Sequence, residues 1–190
     1  MTTTIERPPL GPTFETERLI LRPPIAADFD DFAALHGDVE TMKFIGGHMS
    51  KAQAWRVFNS FAGDWYLWGF SMFSVIEKAS NKWIGRVGTI NPYGWPEREI
   101  GWTIHREHQG KGYASEAAAR AMDFAFDDLK WDKLIHCIDP ANTASQKVAQ
   151  KLGSINLGPT QLPPPYEKMP VDAWGQSRED WQINRVKLNK

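Results

Sequence analysis

The chain is poor in cysteine: Cys137 is the one thiol in 190 residues. A single cysteine makes neither an internal disulfide nor a multi-thiolate zinc site, which excludes a disulfide-framed secreted domain. Neither sign of charge is in excess, with 22 Lys and Arg against 23 Asp and Glu. Without a cationic surplus to face phosphates, no nucleic-acid partner is expected. No apolar run reaches the roughly 18 uncharged residues of a membrane-spanning helix. Met1–Pro12 also lacks the apolar core of a signal peptide. The expectation is one cytoplasmic domain over residues 1–190, with residues 1–13 as a loose arm, no membrane contact, and a monomeric or homodimeric state. What the chain has in plenty is tryptophan, nine residues, and proline, thirteen.

Thr16 to Arg22 alternates as a strand does, with Leu19 and Leu21 on one side. Asp28 to His36 carries Phe29, Phe32, Ala33 and His36 at helical spacing before Gly37. Ser50 and Gln53 form a capping box that opens a helix with Trp55, Phe58, Phe61, Ala62 and Trp65 along one stripe. Strands follow over Phe70–Glu77, Lys82–Ile90 and Glu97–His105, separated by turn-rich segments and read as an antiparallel meander. A long helix is predicted over Ala114–Leu129, a strand over Lys133–Ile138, a short helix over Thr143–Leu152 and a strand near Ile155. Pro159, Pro163, Pro164, Pro165 and Pro170 then punctuate a long connection, and a last strand is predicted over Trp181–Val186. The expected class is α/β, a mixed, mostly antiparallel sheet with helices on both faces.

The most informative segment joins the predicted strand Glu97–His105 to the long helix. It reads Gln109-Gly110-Lys111-Gly112-Tyr113-Ala114-Ser115. Glycines let backbone amides approach a ligand, and the helix start adds partial positive charge, a combination suited to a pyrophosphate. A Walker loop is excluded because Gly112, rather than Ser or Thr, follows Lys111. A dinucleotide fingerprint begun at Gly110 puts Ser115 where its third glycine belongs. The remaining pattern is Q-x-x-G-x-A at Gln109, Gly112 and Ala114.

That pattern resembles the acetyl-CoA loop of the GNAT family of N-acetyltransferases, and the likeness runs from Phe14 to about Val186. It is similar above all to the branch of ribosomal-protein N-terminal acetyltransferases. Thr16-Glu17-Arg18-Leu19-Ile20-Leu21-Arg22-Pro23 matches that branch's opening strand, and Glu99-Ile100-Gly101-Trp102 followed by Gln109 to Ala114 matches its central motif. Asn142-Thr143-Ala144-Ser145 running to Lys151-Leu152-Gly153 matches its N-x-x-S…K-L-G helix. The resemblance implies a sheet splayed between the fourth and fifth predicted strands, opening a cleft for a pantetheine arm. Backbone groups near Ile104 and Arg106 would pair with the arm. Gln109, Gly110, Lys111, Gly112, Tyr113, Ala114 and Ser115 would hold the pyrophosphate, and Asn142 with Ser145 would border the thioester. The cosubstrate implied is acetyl-CoA with an amine acceptor, and no metal.

Direct acetyl transfer needs a neutral amine. Deprotonating a lysine near pKa 10.4 costs about 4–5 kcal/mol at pH 7, whereas an α-amine near 7.7–8.0 costs about 1 kcal/mol. Glu97 and Glu99 share a face at the start of their strand, and Glu99 is the candidate base, acting through water. Family members that protonate the departing thiolate with a tyrosine carry it seven residues after the asparagine. Ala149 stands there, so Ser145 is the substitute hydrogen-bond donor to sulfur. Modest catalytic groups favour an acceptor of low pKa, such as an α-amine. Trp65, Trp68, Trp95, Trp102 and Trp174 are candidates for an apolar acceptor pocket, against scattered core packing.

Other residues have plainer readings. Asn142 also suits a helix N-cap. Cys137 reads as core. Asp28, Asp30 and Asp31 read as a solvated helix face, and Trp55, Phe58 and Phe61 as core. His105 and His108 lack zinc-site spacing. A non-catalytic acyl-CoA-binding module and a transferase for longer acyl groups remain as alternatives.

Overall fold

A computed structural model describes residues 9–188; of the arm expected over residues 1–13, residues 1–8 lie outside the described residues. Eight strands form one sheet: β1 (Phe14–Glu15), β2 (Leu19–Arg22), β3 (Met72–Glu77), β4 (Lys82–Ile90), β5 (Glu99–Ile104), β6 (Lys133–Ile138), β7 (Ile155–Thr160) and β8 (Val171–Ser177). Their order is β1-β2-β3-β4-β5-β6-β8-β7. Every pairing is antiparallel except that of β5 with β6. The predicted opening strand is split because Thr16 N donates back to Leu19 O (2.9 Å), turning β1 onto β2.

The helices are α1 (Phe29–Gly37), α2 (Val39–Met42), α3 (Lys51–Trp68), α4 (Tyr113–Asp123), α5 (Thr143–Lys151) and α6 (Arg178–Leu188). They bury two apolar layers. Leu19, Leu21, Phe73, Val75, Ile84 and Val87 of the sheet pack with Ala117, Ala121 and Met122 of α4 and Trp181 of α6. Phe32, Leu35, Met42 and Phe58 of α1–α3 pack with Ile76 and Trp83. The Ser50–Gln53 capping box starts α3 as expected, with Ser50 N donating to Gln53 Oε1 (2.9 Å). The long helix ends sooner than predicted: after Asp123 the chain widens into a π-turn over Phe124–Asp128, where Leu129 N reaches Phe124 O.

Three expectations are corrected. The terminal segment is a helix, and the last strand is Val171–Ser177 instead. Trp181 is buried while Ile183, which would share its face in a strand, is exposed. Ser177 and Asp180 form a capping box, Asp180 N donating to Ser177 Oγ (3.1 Å) and Ser177 N to Asp180 Oδ2 (3.3 Å), which was readable as a helix start. Asp28 is buried rather than solvated. It holds Arg22 through two bonds of 2.7 Å and accepts Ser74 Oγ (2.7 Å), so α1 enters the sheet through an ion pair. Trp55 is half exposed, its ring resting edge-on against Phe29 at 4.8 Å.

Candidate active site

The parallel strands β5 and β6 share one register pair, Glu99 with Ile135, and then part. At the parting point the Ile100 carbonyl meets a side chain, His136 Nδ1 (2.7 Å), where a ladder would supply an amide. His136 is buried, and its Nε2 lies 3.1 Å from Ser154 Oγ, which also accepts Gln176 Nε2 (2.9 Å). A carbonyl only accepts, so Nδ1 carries the hydrogen; burial holds the ring neutral, lowering its pKa to about 4. The imidazole is a wedge between the strands. His105 N donates to Ile84 O of β4, so by alternation Ile100, Trp102 and Ile104 turn their backbone edge to the opening. The Ile104 carbonyl accepts Gln109 Nε2 (2.8 Å).

The glycine turn lies at the open end. Arg106 begins a short 3₁₀ turn, Arg106–His108, beyond the strand, and its carbonyl accepts Gln109 N. Gly110 and Gly112 take φ of 74° and 83°, conformations that side chains resist. Gly112 is the N-cap of α4 and supplies no side-chain cap, leaving first-turn amides open to another acceptor. The turn is braced from behind by the opening strand. Glu116 accepts Thr16 Oγ1, Arg18 N (2.9 Å) and Arg18 Nε (2.7 Å), while Arg18 Nη1 donates to Lys111 O (2.9 Å). Tyr113 and Ser115 are buried, Tyr113 donating its hydroxyl to Glu77.

On the other side of the opening lies a cavity of about 1090 Å³. Asn142 and Ser145 sit at its edge, Asn142 capping α5 by accepting Ser145 N (3.1 Å). Glu99 faces the cavity from β5 and is buried. It accepts Trp95 Nε1 (2.6 Å) and Cys137 N (3.2 Å), and burial pushes its pKa up. Glu97 precedes the strand and pairs instead with Lys133 Nζ (2.6 Å). The Cys137 thiol is held protonated by burial and by the Glu99 carboxylate beside it. Of the five tryptophans, Trp68, Trp95 and Trp102 line the cavity. Trp65 is core, donating Nε1 to Met72 O (2.9 Å), and Trp174 packs with Ile138 and Ala149. The proline-rich connection supplies Leu162, Pro163, Pro164, Tyr166 and Met169 to the wall.

Glu99, Asn142 and Ser145 therefore share one cavity, while Gly110–Ser115 lie outside its walls at the other end of the opening. Sequence reasoning missed Arg86, His36 and Tyr166. Arg86 hides in a strand whose neighbours are apolar, and nothing local marks a buried guanidinium there. It lines the cavity and donates Nε to His36 Nε2 (3.3 Å); burial lowers its pKa to about 10. His36 Nδ1 contacts Phe32 O (2.9 Å), and burial holds its pKa near 3.

A splayed sheet, a glycine turn opening a helix and a cavity at the splay define the architecture of an acetyltransferase. The profile of the acetyltransferase (GNAT) domain matches residues 18–155, and the chain belongs to that family of acetyltransferase enzymes, which use acetyl-CoA as cosubstrate. An uncharacterized N-acetyltransferase of Bacillus licheniformis is 32% identical over 160 residues, covering 82% of this chain and 88% of the relative. The crystal structure of an acetyltransferase from Agrobacterium tumefaciens superimposes with a TM-score of 0.76 at 29% identity, covering 87% of this chain and 94% of that one. A Vibrio cholerae chain described as a ribosomal-protein-serine acetyltransferase shares the fold, with a TM-score of 0.74 at 22% identity over 87% of this chain and 97% of that one.

Proposed function

We propose that this chain moves an acetyl group from acetyl-CoA directly to a primary amine. The observation that carries the reading is the meeting of two spaces at Asn142 and Ser145: the open edge of β5 with the uncapped start of α4, and the cavity holding Glu99. The residues fit the cosubstrate. A Cβ built on Gly110 would meet nothing within 4 Å, and the first-turn amides of α4 have no side-chain cap. Acetyl-CoA, when bound, supplies an acyl group activated as a thioester.

The amides of Gly110, Lys111, Gly112, Tyr113, Ala114 and Ser115 hold the pyrophosphate at the positive end of α4. Gln109 orders the turn by tying it to Ile104, and Arg106 lies where the strand edge passes into the turn. The backbone edge at Trp102 and Ile104 binds the arm as a neighbouring strand would, and an amide on it can stabilise developing negative charge on the carbonyl oxygen. Glu99, with its raised pKa and two fixed donors, takes the proton of the acceptor amine through water. The Ser145 hydroxyl donates a hydrogen bond to sulfur. A neutral amine is cheapest for an α-amine, so a peptide or small-molecule α-amine is the favoured acceptor.

Calorimetry with acetyl-CoA, followed by thiol release over N-terminal peptides, polyamines, amino acids and aminoglycosides, tests the reading. Stoichiometric binding and thiol release with α-amines are expected. Binding with no turnover on any amine would make the chain a sensor, and turnover only with longer acyl-CoA would shift the donor class. Release with lysine side chains or polyamines but not with α-amines would sink the acceptor preference.

A further inference from the structure

The acceptor cavity contains a cation that acetyl transfer does not use. Arg86 projects from β4 with 9% of its surface exposed. Its Nε donates to His36 Nε2, and its two terminal nitrogens make no hydrogen bond or ion pair among the described residues. The Phe61 ring lies 5.3 Å from the guanidinium. His36 is neutral, so it supplies no counter-charge. Glu99 faces the same cavity, but no ion pair joins it to Arg86 among the described residues; its oxygens are taken by Trp95 and Cys137. Glu99 favours the Arg86 charge from across the cavity without touching it. A buried guanidinium whose terminal nitrogens make no hydrogen bond is costly, and a ligand anion bound to them would relieve that cost.

We propose that Arg86 binds a carboxylate of the acceptor, so that the substrate is a small amine carrying both charges, an amino acid or a short peptide with a free C-terminus. The inference rests on the acetyl-transfer reading above and deepens it. Register gives the spacing. Arg86 pairs with Thr103, and Thr103 stands four residues from Glu99 on the same face of β5. Strand rise then separates the two anchors by about 13 Å at the backbone, and both side chains reach the same cavity. One guanidinium matches a single carboxylate through paired N–H donors, whereas a doubly charged phosphate would find two carboxylates, Asp64 and Glu99, on the same walls. The acceptor ammonium finds those carboxylates favourable. Trp68, Trp95 and Trp102 would flank the apolar body.

The test is thiol release from acetyl-CoA with L-phenylalanine against L-phenylalaninamide, and with alanyl-phenylalanine against its C-terminal amide. Amidation lowers the pKa of the nearby amine, which biases the first pair against the expected result. In the wild type, kcat/KM for the acid should exceed that for the amide at least tenfold in one pair, and that pair tells whether amino acid or peptide is the source. R86Q should collapse the acid-to-amide ratio at least tenfold through KM, and R86K should restore part of it. Equal turnover of acid and amide in both pairs overturns the proposal while leaving acetyl transfer intact. Should no amine be acetylated, quenching of the cavity tryptophans by N-acetyl-phenylalanine against its amide, with CoA present, decides the carboxylate site separately. Tighter binding of the acid supports it, and equal binding overturns it. A failure of acetyl-CoA to bind in calorimetry would instead sink the broader reading.

Discussion

Glu99 is buried at the cavity wall, its two oxygens fixed by Trp95 Nε1 and Cys137 N. Burial raises its pKa, so as the proposed base it is ionised only above the ordinary carboxylate range. The rate should therefore fall as pH drops through that raised value, and E99Q should remove this acidic limb while lowering kcat by about 10²–10⁴-fold. A pH profile of kcat for both proteins checks it; an unchanged limb in E99Q would assign the proton elsewhere. The buried histidines act on stability instead. His36 and His136 have pKa values lowered from 6.5 to about 3 and about 4. Unfolding returns both to ordinary behaviour, so the unfolded chain binds more protons in this window and stability rises with pH. Their contribution is complete above pH 6.5 and is lost as pH falls through the folded values. For His136 it amounts to about 3 kcal/mol. Urea midpoints at pH 7.5 and 5 should differ clearly in the wild type and less in H136N.

At the scale of elements, the opening strand explains the glycine turn. Thr16 and Arg18 converge on Glu116, and Arg18 also takes the Lys111 carbonyl, so β1, β2 and α4 hold the turn in one shape before any ligand arrives. Replacing Gly112 by alanine forces a Cβ onto φ of 83°. That costs about 1–2 kcal/mol, by the penalty of left-handed backbone. Calorimetry of G112A should show acetyl-CoA affinity reduced about tenfold or more if the turn rearranges to relieve the strain. Local signals placed most elements well. The Ser50–Gln53 box opens α3 and Asn142 caps α5, because both devices lie within four residues of chain. Ser177–Asp180 is the same kind of device, and the strand expectation over Trp181–Val186 takes no account of it. Strand β8 has little apolar alternation of its own, since it lies between β6 and β7 and is stabilised by pairing on both edges.

For the whole molecule, the cavity beside Glu99 is assembled from distant parts of the chain. Its walls come from α1–α3, from β4–β6, from the start of α5 and from the proline-rich connection. Tyr166 of that connection meets Trp95 edge-on at 6.3 Å and lies against Gly46, so two far segments close one side. A ligand bound across β5 and α4, as proposed, would tie these layers together. Acetyl-CoA at 100 times its dissociation constant should add about 2.7 kcal/mol to unfolding. That corresponds to a melting-temperature rise of roughly 5–10 °C at this chain length. A thermal shift titration reads it, and no shift at saturating ligand would contradict binding to the folded state.

The sequence by itself determined the class of fold, the glycine turn and the Asn142 cap, because each depends on neighbours within one or two turns of chain. It also pointed to Glu99 and to the prolines beside the cavity. Only the tertiary structure decided that Glu99 faces the cavity while Glu97 pairs outward, that Asp28 is buried, and that three tryptophans, not five, line the wall. It alone revealed Arg86 with terminal nitrogens that make no hydrogen bond among the described residues, and His136 as the wedge between β5 and β6. Burial, counter-charges and strand splay are sums over segments far apart in sequence, and no local pattern records them.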